Sequence, residues 1–370
     1  LSWFVKYVKV YANMAFAPIK VNRAEILNKL ELVSPGLANR EIIEQSSCFA
    51  FTNGNIYTYN DEVSCRTKSP FGKSFEGAVK AAPLLEILRK LGEEEVTIDR
   101  TATEVIVIGK GRRAGVRMED AVLLPIDGVE VPGKEDWKEL PEEFAEAVGV
   151  VQECANKSEG EQMLTCVHIH PKWVEACDRF QLCRYKLQTG ITAPTLVRRD
   201  NLKAALSLGM TEFAETPAWL HFRNAGKLVY SARRSLENYR DLSPFFKDEG
   251  GDVVILPKSL KETCDKAQVF TSEEEDNHVV VELRPGKIRI KGTGTSGWYS
   301  EVKKLAYDGD VLEFIISPKL LTELVDRHNE AIISADKLRV NGGKWIYATC
   351  LGKKAEAPEE VIDEPEEEKQ

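Results

Sequence analysis

The stretch KIRIKGTGTSGWYSEVKKLAY (287–307) admits two readings that lead to different folds. Gly292, Gly294 and Gly297 match G-x-G-x-x-G, a pattern that in dinucleotide binders joins a strand to a helix whose N-terminus holds the pyrophosphate. A strand does precede the glycines, because Ile288 and Ile290 alternate with Lys287, Arg289 and Lys291. The residues after the glycines alternate as well: Trp298, Ser300 and Val302 interleave with Tyr299 and Glu301. The stretch therefore predicts a glycine-rich turn between two antiparallel strands.

Working outward, helical spacing recurs at a fixed interval. VNRAEILNKLELV (21–33), PEEFAEAVGVVQECA (141–155) and PKSLKETCDKAQVF (257–270) share a helix pattern, and their first apolar anchors Ile26, Phe144 and Leu260 lie 118 and 116 residues apart. A second helical set, PLLEILRKL (83–91), RRDNLKAALSL (198–208) and PKLLTELVDRH (318–328), falls between and after them. Pro83 and Pro318 are 235 residues apart, twice the same period. The intervening runs alternate at period two, among them CFAFTNGNIYTYN, VTIDRTATEVIVIG, LTCVHIH, WLHFRNAGKLVYSA, VVVELRPGKIRIKG and KLRVNGGKWIYATC. Asn53-Gly54, Pro285-Gly286 and Gly342-Gly343 mark hairpin turns.

The unit is helix, strands, helix, strands, three times over. This is an α+β fold of three tandem pseudo-repeats with antiparallel sheets, not a doubly wound one. The expected boundaries are an N-terminal extension (1–18), three domains (19–131, 132–250, 251–352) and an acidic, disordered tail (353–370). The linkers fall in 123–141 and 240–257.

Composition fits a soluble globular chain of several domains: 370 residues, 43% hydrophobic and 29% charged. The formal charge of −9 argues against a nucleic-acid binder at first sight. Residues 353–370, however, carry eight acids against three lysines, a net of −5, so the remainder stands near −4. Eight cysteines without C-x-x-C spacing read as free, mostly buried thiols of a reducing cytoplasm. The opening LSWFVKYVKVYANMAFAPIK is interrupted by Lys6 and Lys9 and fits neither a signal peptide nor a membrane span; Met14 is a candidate start.

Other chemistry is weakly signalled. Cys166, His168 and His170 alternate onto one strand face with Cys177 and Cys183 nearby, which would suit zinc, but the close thiol pairs of structural sites are missing and packed side chains are the favoured reading. Val107 to Arg113 (VIGKGRR) lacks phosphate-loop spacing and reads as a basic hairpin turn. The five histidines (168, 170, 221, 278, 328) form no catalytic set. No catalytic residue, metal or cofactor is expected.

Several ordered segments resemble one family. VNRAEILNKLELVSPGL with NREIIEQ, TYNDEV, LTCVHIHPKWVEACDRFQLCRYKL, LENYRDLSP and SGWYSEVKKLAYDGDVLEFIISPKLLTEL are together similar to bacterial DNA polymerase III beta subunits, the replicative sliding clamps, over roughly residues 19–352. The resemblance implies a non-enzymatic, cytoplasmic processivity factor. It implies a head-to-tail homodimeric ring around duplex DNA, with helices lining the hole and strands outside. Its partners would be double-stranded DNA read without sequence preference, a DNA polymerase, a clamp loader and other clamp-binding peptides. The alternative is a triple-repeat scaffold or metal-binding protein that does not act on DNA.

By the same resemblance Arg40 falls near the DNA backbone, with Arg23, Lys157, Arg198, Arg199 and Lys203 as further phosphate contacts. Glu142, Glu143, Glu146 and Glu153 make the first helix of the second domain acidic for a channel wall. The partner-peptide pocket falls on Phe180, Gln181, Leu182, Pro244, Tyr347, Cys350 and Leu351. Asp178, Leu182 and Pro244 keep the family's residue type. The C-terminal segment departs from it, as ATCLG runs into KKAEAPEEVIDEPEEEKQ.

Overall fold

The computed structural model describes residues 16–156, 162–226, 228–247, 250–271, 277–334 and 337–350. The proposed start at Met14, the extension before residue 16 and the acidic tail lie outside them. Among the described residues there are six α-helices: α1 (Arg23–Val33), α2 (Ala81–Lys90), α3 (Phe144–Val151), α4 (Arg199–Ser207), α5 (Leu260–Thr271) and α6 (Pro318–Arg327). Each lies at or close after a short strand, so the strand–helix alternation of the sequence is realised. All strand pairings among the described residues are antiparallel.

The chain divides into two compact units. The first comprises residues 1–148, 166–171 and 188–238; the second comprises 149–165, 172–187 and 239–370.

In the first unit, α1 and α2 pack together through Ile26, Leu30 and Val33 on one and Ala81, Leu84, Leu85 and Leu88 on the other, all buried at helical spacing. Full burial of each large aliphatic contributes roughly 1.5–3 kcal/mol. The Asn22 carboxamide accepts a hydrogen bond from the Glu25 N–H (3.0 Å) and caps α1. An antiparallel run passes from Asn55–Tyr59 to Val63–Lys68 and then to Val229–Ser235, in the register Arg66↔Val229 to Val63↔Ala232. Val229–Ser235 also pairs with Trp219–Arg223 and with Thr195–Arg198. The turn at Asn53-Gly54 has φ of 50° and 73°, the left-handed pair that a two-residue hairpin demands. The basic VIGKGRR segment is a hairpin turn, with Gly109 opposite Arg112.

In the second unit, Trp173–Cys177 pairs with Gln181–Lys186, which pairs with Trp345–Cys350. A separate four-stranded sheet runs Gly297–Lys304, Lys287–Gly294, Val279–Arg284, Leu312–Ile316. The glycine stretch is the hairpin expected, Gly294 opposite Gly297. Gly292 has a packing reason: a Cβ there would lie 2.6 Å from the Ala267 carbonyl oxygen of α5, so only glycine lets strand and helix approach so closely.

Candidate peptide pocket and cationic surface

The expected pocket residues converge in the second unit. Asp178 fixes the turn: its Oδ1 accepts the backbone N–H groups of Phe180 (2.7 Å) and Gln181 (2.8 Å). The turn closes the hairpin with Cys177 opposite Leu182. The final strand then lies alongside, Gln181 opposite Thr349 and Leu182 opposite Ala348, and the Cys350 N–H donates to the Phe180 carbonyl at 2.8 Å. Tyr347 is buried, and its hydroxyl donates to Gln181 Oε1 (3.2 Å) while Gln181 Nε2 donates to Asp178 Oδ2 (2.9 Å). One relay thus joins strand, turn and neighbouring strand.

The floor is apolar. Leu164, Cys177 and Leu242 are buried together, with Met163, Leu182, Tyr239 and Phe246 packed against them. Burial raises the Cys177 thiol pKa and the Tyr239 phenol pKa, and the phenol donates to the sulfur at 3.5 Å. Pro244 is exposed at the start of the single turn Ser243–Phe246. Phe180 (64% exposed) and Phe245 (50%) stand in solvent. A buried apolar floor beside solvent-facing aromatic side chains and a few backbone hydrogen-bonding groups is the chemistry that takes a short apolar peptide.

Two residues along the same hairpin lies a charged pair. Glu175 is 2% exposed and pairs with Arg184 at 2.6 Å, and the guanidinium is sandwiched between the Trp173 and Phe246 rings, 4.5 and 4.7 Å from their centroids. Tyr239, Leu242 and Phe246 join the apolar cluster but were not among the residues expected from the sequence. Their i, i+3, i+7 spacing in NYRDLSPFF was the available signal. Leu351 lies outside the described residues.

The expected DNA contacts, all but one in described parts of the first unit, divide by environment. Arg40 is exposed in the loop after α1, and Lys203 is exposed on α4. Beside Arg40, the Glu41 carboxylate accepts from Lys80 Nζ (2.6 Å), Ser47 Oγ and the Gln45 N–H (2.9 Å). These bonds, Lys80 foremost, hold its pKa down to about 2. Arg23 donates from Nη1 to the Leu88 carbonyl and from Nε to the Glu93 carbonyl, both at 2.8 Å, and so satisfies carbonyls in and just beyond the last turn of α2. Arg198 is paired with Glu62, which also accepts from Asn201 Nδ2 at 3.3 Å. Arg199 is buried, 7% exposed, with Nε 3.3 Å from Asp200. Lys157 lies outside the described residues. Of the acidic residues singled out in the sequence, Glu153 forms an ion pair with Lys319 at 2.7 Å.

Cys166 is buried, and the His168 and His170 rings meet edge to face with centroids 6.2 Å apart. Among the described residues no three His, Cys, Asp or Glu side chains are grouped to hold a metal ion. No disulfide joins the eight cysteines, of which seven are buried and Cys350 is exposed. Among the described residues no helix is long and apolar enough to cross a membrane.

No protein-family model matches the chain, and no curated protein matches it in sequence. Solved structures do match. The DNA polymerase III beta subunit of Thermotoga maritima is 16% identical with a TM-score of 0.71, that of Pseudomonas aeruginosa 14% with 0.74, and the beta chain from Streptococcus pneumoniae 13% with 0.75. In each case the match covers 91% of this chain and 100% of the other. With six helices among the described residues and extensive antiparallel sheets, the chain therefore has the fold of the DNA polymerase III beta subunits, the sliding-clamp fold.

Proposed function

We propose that the protein is a DNA sliding clamp: a non-catalytic processivity factor that encircles duplex DNA and tethers a replicative polymerase in the cytoplasm. The observation that carries this is coverage. The fold of known beta subunits is matched over their whole length, so the likeness is not to a shared submotif. Phe180, Gln181, Leu182, Tyr347 and Cys350 come together on paired strands, and Leu182 and the turn that carries Pro244 border an apolar cluster; this supports the reading, because tethering requires a docking pocket for a partner's peptide.

In this reading the chain is three tandem domains (19–131, 132–250, 251–352), and two chains close head to tail into a ring. A heterologous contact that closes yields a ring, and pairing across it removes exposed sheet edges. Arg40 and Lys203 supply the phosphate contacts, with Arg198 available when Glu62 releases it. Arg23 ties α1 to the end of α2, and Arg199 is buried at the start of α4. Polymerase and clamp loader would both dock at the pocket.

Retention by encirclement is topological. The expected result is that protein loaded onto nicked circular DNA survives salt that screens individual phosphate contacts, and departs when the circle is cut. Equal salt-sensitive loss from circles and linear DNA would overturn the reading.

A further inference from the structure

The four-stranded sheet of the second unit has one packed face and one open face. Helix α5 covers the side of Ile288, Ile290 and Gly292. Directly opposite residues of an antiparallel pair share a face, so the registers order the other side in rows. Arg284, Lys287 and Lys304 form the first row across three strands, all exposed. Glu282, Arg289 and Val302 form the second, Val280, Lys291 and Ser300 the third, and Thr293 with Trp298 the last.

Like charges directly opposite one another destabilise a sheet, and nothing in the packing of this sheet calls for the first row. Glu282 pairs with both Arg284 and Arg289. Lys287, Lys291 and Lys304 stand exposed beside them, and Glu313 is the other acid on this face. Trp298, 65% exposed, closes the far end opposite Thr293, which lies six residues along the strand from Lys287, or roughly 20 Å at strand rise.

We propose that this face is a docking track for single-stranded DNA, with phosphates held along Lys287, Lys291 and Lys304 and an unpaired base stacked on Trp298. The combination selects the occupant. Phosphates need the cations, and a splayed base needs an exposed aromatic face. An acidic peptide would use the lysines and leave Trp298 idle, and a duplex keeps its bases stacked on one another.

The test is fluorescence anisotropy of the full-length chain with short oligothymidylate, a duplex of equal length and polyglutamate. Linear oligonucleotides this short cannot be retained by encirclement, and repeating the comparison in an Arg40→Ala/Lys203→Ala background sets aside the duplex contacts of the clamp reading. Oligothymidylate is expected to bind best, with log K falling against log salt at a slope of about −2, from three phosphate contacts at about 0.7 each. Trp298→Ala is expected to weaken it about tenfold without changing the slope, and to leave polyglutamate unaffected. Lys287→Ala/Lys291→Ala/Lys304→Ala is expected to flatten the slope towards zero. Absence of saturable oligothymidylate binding would overturn the proposal. So would Trp298→Ala binding as well as the parent chain, or duplex or polyglutamate binding as tightly as oligothymidylate.

Discussion

Arg184 and Arg198 lie on consecutive strands of the sequence and in different compact units, and they do opposite work. Arg184 is 14% exposed, pairs with a carboxylate that is itself 2% exposed, and is flanked on both sides by aromatic rings. Arg198 is 31% exposed and pairs with Glu62 at 38%. The difference is one of partner burial. A charge facing a buried acid is structural, because removing it strands the acid in a poor solvent; a charge facing a wet acid is exchangeable, because water or a phosphate can replace the partner.

The sharpest way to break this contrast is to truncate both. Arg184→Ala is expected to cost about 3–5 kcal/mol, since Glu175 stays buried and loses its guanidinium. Arg198→Ala is expected to cost less than about 1 kcal/mol. Matched thermal or urea unfolding of the two variants decides it, and equal losses would remove the distinction.

A buried imidazole in the first unit gives the next effect. His221 is 1% exposed, with Nδ1 2.8 Å from Ser231 Oγ and Nε2 3.0 Å from Thr216 Oγ1, and burial pushes its pKa down to about 4 from 6.5. The unfolded chain therefore binds the extra proton between pH 6.5 and 4, and stability present above 6.5 is lost as pH falls through that window, by at most about 3 kcal/mol. His221→Gln should flatten unfolding free energy against pH across this range. A parent chain already flat there would contradict the assignment.

Smaller effects belong to binding. Phe180→Ala and Leu182→Ala are each expected to weaken a clamp-binding peptide about tenfold, read by anisotropy, with little change in melting for Phe180→Ala because that ring is already in solvent. Smallest of all, Arg40→Ala/Lys203→Ala should reduce the salt slope of duplex binding by about 2, at about 0.9 per phosphate contact. Arg23→Ala should leave that slope in place and lower stability instead. A reversal of those two results would mean that exposure is a poor guide to which cations meet DNA.

The same contrast explains what was legible in the sequence. Strand alternation fixed hairpins, and hairpins fix register. The neighbourhood of the turn at Asp178, the strand to Lys186 and the strand to Cys350 was therefore legible from local pattern and resemblance. The six helices were legible for the same reason: Ile26, Leu30 and Val33, or Leu84, Leu85 and Leu88, carry their phase in their spacing. The fate of a cation is not local. Arg23 is consumed by carbonyls 65 and 70 residues away, and Arg198 by an acid 136 residues away. No window on the sequence contains those partners. Tyr239 and Leu242 were missed because a linker was read for its turn residues and not for its apolar spacing.

Strand Val63–Lys68 finds its outer neighbour in Val229–Ser235, more than 160 residues later, and the stretches 149–165 and 172–187, which belong to the other unit, are made in between. On the ribosome the first unit therefore cannot be completed until residue 235 has emerged, and until then the edge of Val63–Lys68 is open to any passing strand. A nascent chain stalled near residue 200 should thus be the most aggregation-prone length of this protein, and the one on which a chaperone that shields strand edges has most effect.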